Sequence, residues 1–278
     1  MPQYTFPRED NLADVLRVNA KRFPDKDGFI YLNKSLDSTS VTYSNFYSDA
    51  KKVLTGLKKA GVQPGDKVLF QMPEIQDSIL LTWACWISSI VILPLPIPES
   101  YNTASAKLQK FEAATGMCDG KVVVVTNAAS VNSIRNLTTN FLPEHTFPEE
   151  MTVLDINILK KNEEDPDEHK ADPQDYAAFM LTSGSTGNPK AVILSHANCV
   201  QSHYDKAIPC SFDQSIRVLN WIAADHVASI CDGNCLPMVL GGKHIFLNSI
   251  NIFIFSNIFD LQSFFFFFSM FFVFLNYF

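Results

Sequence analysis

LTSGSTGNPKAV, residues 181–192, sets two apolar ends around a loop of hydroxyls, glycines and one lysine. The apolar run 176–181 before the loop and residues 191–194 after it read as strands. Between them stand four hydroxyls (Thr182, Ser183, Ser185, Thr186), two glycines (Gly184, Gly187) and Lys190. A polyphosphate asks for that set. Glycines let backbone N–H groups come close, hydroxyls donate hydrogen bonds, and an ammonium neutralises charge. Composition alone also fits a Gly/Ser/Thr surface loop, so order and context have to decide.

Three other loop chemistries fail on spacing. A Walker A loop needs G-x-x-x-x-G-K-[ST], whereas Asn188 and Pro189 separate Gly187 from Lys190 and Ala191 follows the lysine. A Rossmann fingerprint needs G-x-G-x-x-G opening a helix, and the chain has no such pattern. Residues 183–187 come near a G-x-S-x-G nucleophile elbow around Ser185, but the first glycine is absent and a strand follows instead of a helix. His226, Cys231, Cys235 and His244 contain a C-x₃-C flanked by histidines, yet the spacings suit no common zinc pattern.

Outward from the loop, strand and helix signals alternate. Residues 44–60 read as an amphipathic helix, with Phe46, Ala50, Val53, Leu54 and Leu57 on one face and Lys51, Lys52, Lys58 and Lys59 on the other. Residues 67–72 follow as a strand, 78–89 as an apolar helix, 90–93 as a strand and 107–115 as a helix. Four consecutive valines at 122–125 predict a strand covered on both faces. Beyond the loop, Ser195 is placed to cap a helix reaching about residue 206, 217–223 is a strand candidate, and Gly241-Gly242 stops a helical segment from 236. The order predicts an α/β fold with mainly parallel sheets flanked by helices.

Composition narrows the function classes. A chain of 278 residues that is 47% hydrophobic has ample material for a core, which excludes wholesale disorder. The net charge of −7 is concentrated in residues 161–175, where seven carboxylates face two lysines; that run reads as a solvated linker. The rest is nearly neutral, with no basic stripe for nucleic acid. Six cysteines in this length do not make a disulfide framework, and the N-terminus lacks an apolar h-region, so a reducing, cytoplasmic setting is expected. Residues 78–98 are uncharged, but Pro94, Pro96 and Pro98 break any spanning helix.

The 181–192 stretch resembles the phosphate-binding signature of the adenylate-forming (AMP-binding) enzymes, which include acyl-CoA ligases, fatty acyl-AMP ligases and the adenylation domains of peptide synthetases. AGVQPGD at 60–66, VILPLP at 91–96, LSHAN at 194–198 and NWIAADHVAS at 220–229 agree in order and spacing. DHVAS and Ala191 look most like fungal-type, synthetase-like adenylation domains. The resemblance implies the N-terminal part of such a domain over 1–247. It also implies a reaction in which a carboxylate attacks the α-phosphate of Mg-ATP, pyrophosphate leaves, and the acyl group passes to a thiol of coenzyme A or of carrier-protein phosphopantetheine. It places Thr182, Ser183, Gly184, Ser185, Thr186, Gly187 and Lys190 on the phosphates and His226 beside the substrate carboxylate, with ATP and Mg as cofactors and no protein ligand assigned to a metal.

The sequence also departs from that family. It shows no Y-G-x-T-E, whose Glu would hold Mg, no Y-x-T-G-D, whose Asp would bind ribose, and no second domain with a lysine for the α-phosphate. Ser89 stands where a glycine is usual. Residues 248–278 hold 12 of the 23 phenylalanines within their last 28 positions, a composition expected of translated noncoding sequence, or alternatively of a membrane anchor. The expectation is therefore a truncated, catalytically incomplete chain, or a non-catalytic fragment with residual nucleotide binding.

Overall fold

The computed structural model describes residues 9–33, 35–139, 142, 144–165, 169–182 and 189–247. Local signals start most of its helices. The Asn11 side chain accepts the N–H of Asp14 at 2.9 Å and opens α1 (Leu12–Arg22), whose last turn carries Lys21 and Arg22 at the negative end of the helix dipole. Strands β1 (Asp27–Leu32) and β2 (Ser38–Thr42) form an antiparallel pair, and Thr42 then caps α2 (Tyr43–Lys59). β3 (Lys67–Gln71), α3 (Ile75–Trp86), β4 (Val91–Pro94), α4 (Ala106–Thr115) and β5 (Val123–Thr126) follow in the order read from the sequence. α5 (Ala128–Arg135), β6 (Thr152–Asp155) and the short α6 (Ile156–Leu159) come next.

β7 (Tyr176–Thr182) and β8 (Lys190–Ser195) flank the hydroxyl-rich loop. Ser195 and Asn198 each bond the other's backbone N–H at 3.1 Å, a capping box that opens α7 (His196–Cys210). β9 (Arg217–Asn220), α8 (Val227–Ile230), a π-helical turn (Cys231–Cys235), α9 (Leu236–Leu240) and β10 (Lys243–Leu247) complete the described chain. Gly241, at φ 67°, ends α9 in the left-handed conformation that a glycine adopts without strain. The strand expected over 217–223 stops at Asn220, because the next five residues turn away to line a cavity.

Six strands form one sheet in the order β6-β5-β3-β4-β7-β8, parallel except for β8. Four form a second, β2-β1-β10-β9, parallel except for β2. One core joins the two sheets through the first three helices: Leu16, Phe46, Leu57 and Trp83 pack with Phe29 and Phe246 of the small sheet and with Val68, Ile92 and Val125 of the large one. The opposite face of the large sheet, with Leu69, Leu93 and Val124, is covered by Leu108 and Phe111 of α4 and Ile134 of α5. The valine run thus alternates between two cores, as the two-residue strand period requires.

The acidic run is held more closely than a solvated linker. Asp165 is buried, with Lys58 Nζ at 2.8 Å, and Glu164 pairs with Lys51 at 2.5 Å. Arg17 donates to the His169 carbonyl, and Asp175 accepts from Ser89 Oγ at 2.7 Å. The two lysine pairs fasten a connection between two strands of one sheet to the lysine face of α2, the face the sequence assigns to solvent, and the other two contacts tie it to α1 and to the turn after α3. Ser89 itself sits at φ 51°, a conformation that glycine adopts without a Cβ penalty, and its hydroxyl bond to Asp175 offsets that strain. Among the described residues no helix is long and apolar enough to cross a membrane.

Candidate functional site

The connections leaving β3 and β4 diverge. β3 leads through α3 on one face of the large sheet, whereas β4 leads through α4 on the other face to β5, beyond β3. Open α/β sheets bind ligands in the crevice that such divergence leaves at the carboxyl ends of the strands. A cavity of about 450 Å³ lies there. Phe70 from β3, Met72 just beyond it, Pro94 to Ile97 from the end of β4, and Ile75 from α3 form its wall on the large sheet. The small sheet contributes Trp221 to Asp225, just beyond β9, and Leu247 at the end of β10. Its lining is apolar apart from Ser78, Lys107, Asp225 and backbone groups.

Two buried amides fix these walls. Gln71 Nε2 donates to the Pro96 carbonyl at 2.7 Å, its Oε1 accepts from Tyr101 Oη at 2.9 Å, and its own carbonyl accepts from Thr126 Oγ1 at 2.8 Å. Burial also raises the Tyr101 pKa, which keeps the phenol a donor. On the other wall, Asn220 Nδ2 donates to the Ser229 carbonyl and Oγ at 3.2 and 3.0 Å, while its Oδ1 accepts from Ile222 N at 3.1 Å. Gly233 packs so closely that an added Cβ would lie 2.2 Å from Asn220 Nδ2. The sequence reading left both amides inside strands, at 67–72 and 217–223, and gave neither a role.

Thr182 and Lys190 are the last pair of the β7–β8 ladder, with Thr182 Oγ1 donating to the Lys190 carbonyl at 3.3 Å. Both side chains are exposed, and the Lys190 ammonium has no carboxylate partner among the described residues. Ser183, Gly184, Ser185, Thr186 and Gly187 lie outside the described residues. β7 is the parallel neighbour of β4, with Ala178 opposite Ile92, so Thr182 leaves the sheet at the same edge as Leu95 and Pro96. The loop ends and the cavity therefore share one side of the large sheet.

His226 follows the cavity-lining run 221–225 and is not one of the lining residues. Its side chain is exposed, and Nδ1 accepts the N–H of Ala228 at 3.2 Å, capping α8. That bond leaves Nε2 as the nitrogen carrying the proton in the neutral ring. His244 lies within the core, stacked on Phe29 at 4.6 Å, away from Cys231 and Cys235 in the π-helical turn. Among the described residues no group of three or more His, Cys, Asp or Glu side chains is placed to hold a metal.

Comparison with known proteins gives a consistent result. The profile of the AMP-binding enzyme family matches residues 16–261, passing the end of β10 at Leu247. Atromentin synthetase invA1 of Paxillus involutus is 26% identical over 245 residues, covering 86% of this chain and 24% of that protein. The long-chain-fatty-acid–AMP ligase FadD26 of Mycobacterium marinum is 25% identical over 248 residues, covering 86% of this chain and 41% of its own. Among solved structures, the McyG A-PCP complexed with phenylalanyl-adenylate superposes with a TM-score of 0.80 at 28% identity, covering 94% of this chain and 39% of that one. The chain spans about a quarter to two-fifths of the length of these relatives.

Proposed function

The chain belongs to the AMP-binding enzyme family, and on that premise we propose that its residues serve the ATP-dependent activation of a carboxylic acid to an acyl-adenylate. A carboxylate oxygen attacks the α-phosphorus, the bond to the bridging oxygen breaks, and pyrophosphate leaves with that electron pair. In a second step a thiol, on coenzyme A or on a carrier-protein phosphopantetheine, displaces AMP. One observation carries the reading: the hairpin mouth between Thr182 and Lys190 opens at the same sheet edge as the apolar cavity at the β3–β4 switch point.

In this reading Thr182, Lys190 and the residues between them cradle the β- and γ-phosphates, and the cavity takes the body of the acid. Its volume of about 450 Å³, with a lining that mixes apolar side chains and polar groups, suits a small acid. Gln71 and Asn220 act as positioning residues by holding the two walls in place. His226 follows the wall and offers an Nε2–H that can be turned toward the carboxylate. Positioning and charge neutralisation are what a protein contributes to such a transfer. Contacts to ribose and to the α-phosphate come from residues outside this set, so the 278 residues alone bind nucleotide without completing adenylation.

Titration of the chain with a slowly hydrolysed ATP analogue tests the phosphate assignment. Lys190→Ala removes one charge-assisted contact, about 1.5–3 kcal/mol, and should weaken binding roughly tenfold to a hundredfold. Unchanged affinity would refute it. Assay of acyl-adenylate formation over fatty, aryl and amino acids tests the rest, since robust turnover by these residues alone would contradict the incomplete-site reading.

A further inference from the structure

Where a helix starts, its first N–H groups have no partner within the helix. Side-chain oxygens meet them at α1, α2, α4, α5 and α7, from Asn11, Thr42, Ser105, Asn127 and Ser195. The start of α3 is left open. Glu74 has the extended backbone of an N-cap but makes no side-chain bond to the first turn, and the N–H groups of Ile75, Gln76 and Asp77 meet no acceptor among the described residues. The Asp77 carboxylate, which could neutralise this end, is paired with Lys160 at the end of α6. Ile75 and Ser78, three residues apart and so on one face of the helix, both line the cavity. Ser78 is buried, and its Oγ has no hydrogen-bond partner among the described residues.

We propose that the open start of α3 and the Ser78 hydroxyl form a subsite for an acceptor oxygen at the far end of the bound acid. The substrate is then a carboxylic acid with a second oxygen function, a keto group or a second carboxylate. Everything the subsite offers favours an acceptor: the N–H groups of the first turn, the Ser78 O–H and the positive end of the helix dipole. Lys107, held by Glu99 at 2.7 Å, and Asp225 are the charged residues of the lining, and their opposite signs set no preference of their own. Topology assigns the far end. β4 lies between β3, from which α3 departs, and β7, which carries Thr182, so two strand spacings, about 10 Å, separate the subsite from the hairpin mouth. With the reacting carboxylate at the mouth, α3 meets the other end of the molecule. The subsite rests on the cavity being the acid's pocket and narrows which acid that pocket takes.

Calorimetric titration of the full chain with heptanoate, its distal keto analogue and heptanedioate tests the assignment. At least one oxygenated acid should bind roughly threefold to tenfold more tightly than heptanoate, the gain of one paired hydroxyl, and the tighter of the two tells keto group from carboxylate. Ser78→Ala should bring that ratio to about one and raise the unfolding midpoint, because it removes a buried hydroxyl that has no partner in the unliganded protein. Glu74→Ser should act in the same two ways by supplying the missing cap. Equal binding of all three acids by the wild type, or variants that gain stability and keep the preference, would overturn the subsite and leave the acid pocket standing. Binding of none of the acids would overturn the pocket, and the subsite with it.

Discussion

His244 sits at the centre of the small sheet with its ring stacked on Phe29, and neither ring nitrogen has a hydrogen-bond partner among the described residues. Burial, with Lys26 nearby, lowers its pKa from 6.5 to about 3, so the folded protein holds it neutral. The unfolded chain takes up a proton below about pH 6.5, and the folded chain does so only near pH 3. Stability from this group is therefore complete above pH 6.5, falls as pH drops below it, and stops falling near pH 3. His244→Phe keeps the ring stack and removes the titration. Urea unfolding at pH 7 and pH 5 should show about 2 kcal/mol less loss in the variant than in the wild type. An equal loss in both would show that His244 is not the titrating group. The sequence left His244 as a rejected zinc ligand, because nothing in its neighbours reveals that residues 29 and 244 are paired across the small sheet. Lys190 was singled out for the opposite reason, since the eight residues before it supply the pattern on which its proposed role rests.

The hairpin β7–β8 combines two demands that pull against each other. In the proposed function its end serves a ligand, and its outer strand ends the sheet with Val192 and Ile193 each 47% exposed on opposite faces. An apolar edge strand invites pairing with another copy. Ile193→Lys should lower light scattering of the concentrated protein and leave the unfolding midpoint nearly unchanged. Unaltered scattering would mean that self-association, if present, uses another surface. Elements with strong local signals were legible: α2 agreed to within one residue at each end, and the 181–192 stretch gave both strands. α1, β1, β2, α5, β6, α6 and β10 were missed. β2, Ser38–Thr42, is short and polar with no buried residue, whereas β1 carries an apolar run at residues 29–32 that the reading passed over. The fold decides them through pairing partners far along the chain. The acidic run was misread because charge density cannot show that Lys51 and Lys58 on α2 are waiting for it.

Taken as a whole, the chain has two sheets that share one core, with the cavity at their carboxyl ends. Its last stretch is the weak point for handling. Residues 264–268 are five phenylalanines in a nearly uncharged, proline-free context, the composition of an aggregation-prone segment. The family profile ends at 261, so a chain stopped there retains the matched region. It should give a higher soluble yield than the 278-residue chain, and equal yields without detergent would show that the phenylalanines are harmless. The small sheet carries a different consequence. β1 lies between β2 and β10, and its register pairs Phe29 with His244 and Leu32 with Leu247. During synthesis β1 emerges some 215 residues ahead of its partner, a delay of roughly 10 to 40 s at about 5–20 residues per second. All strands of the large sheet emerge in that interval. The six strands of the large sheet are thus all available first, and β1 has only its hairpin partner β2 until β10 arrives, so one edge of β1 stays open through that interval.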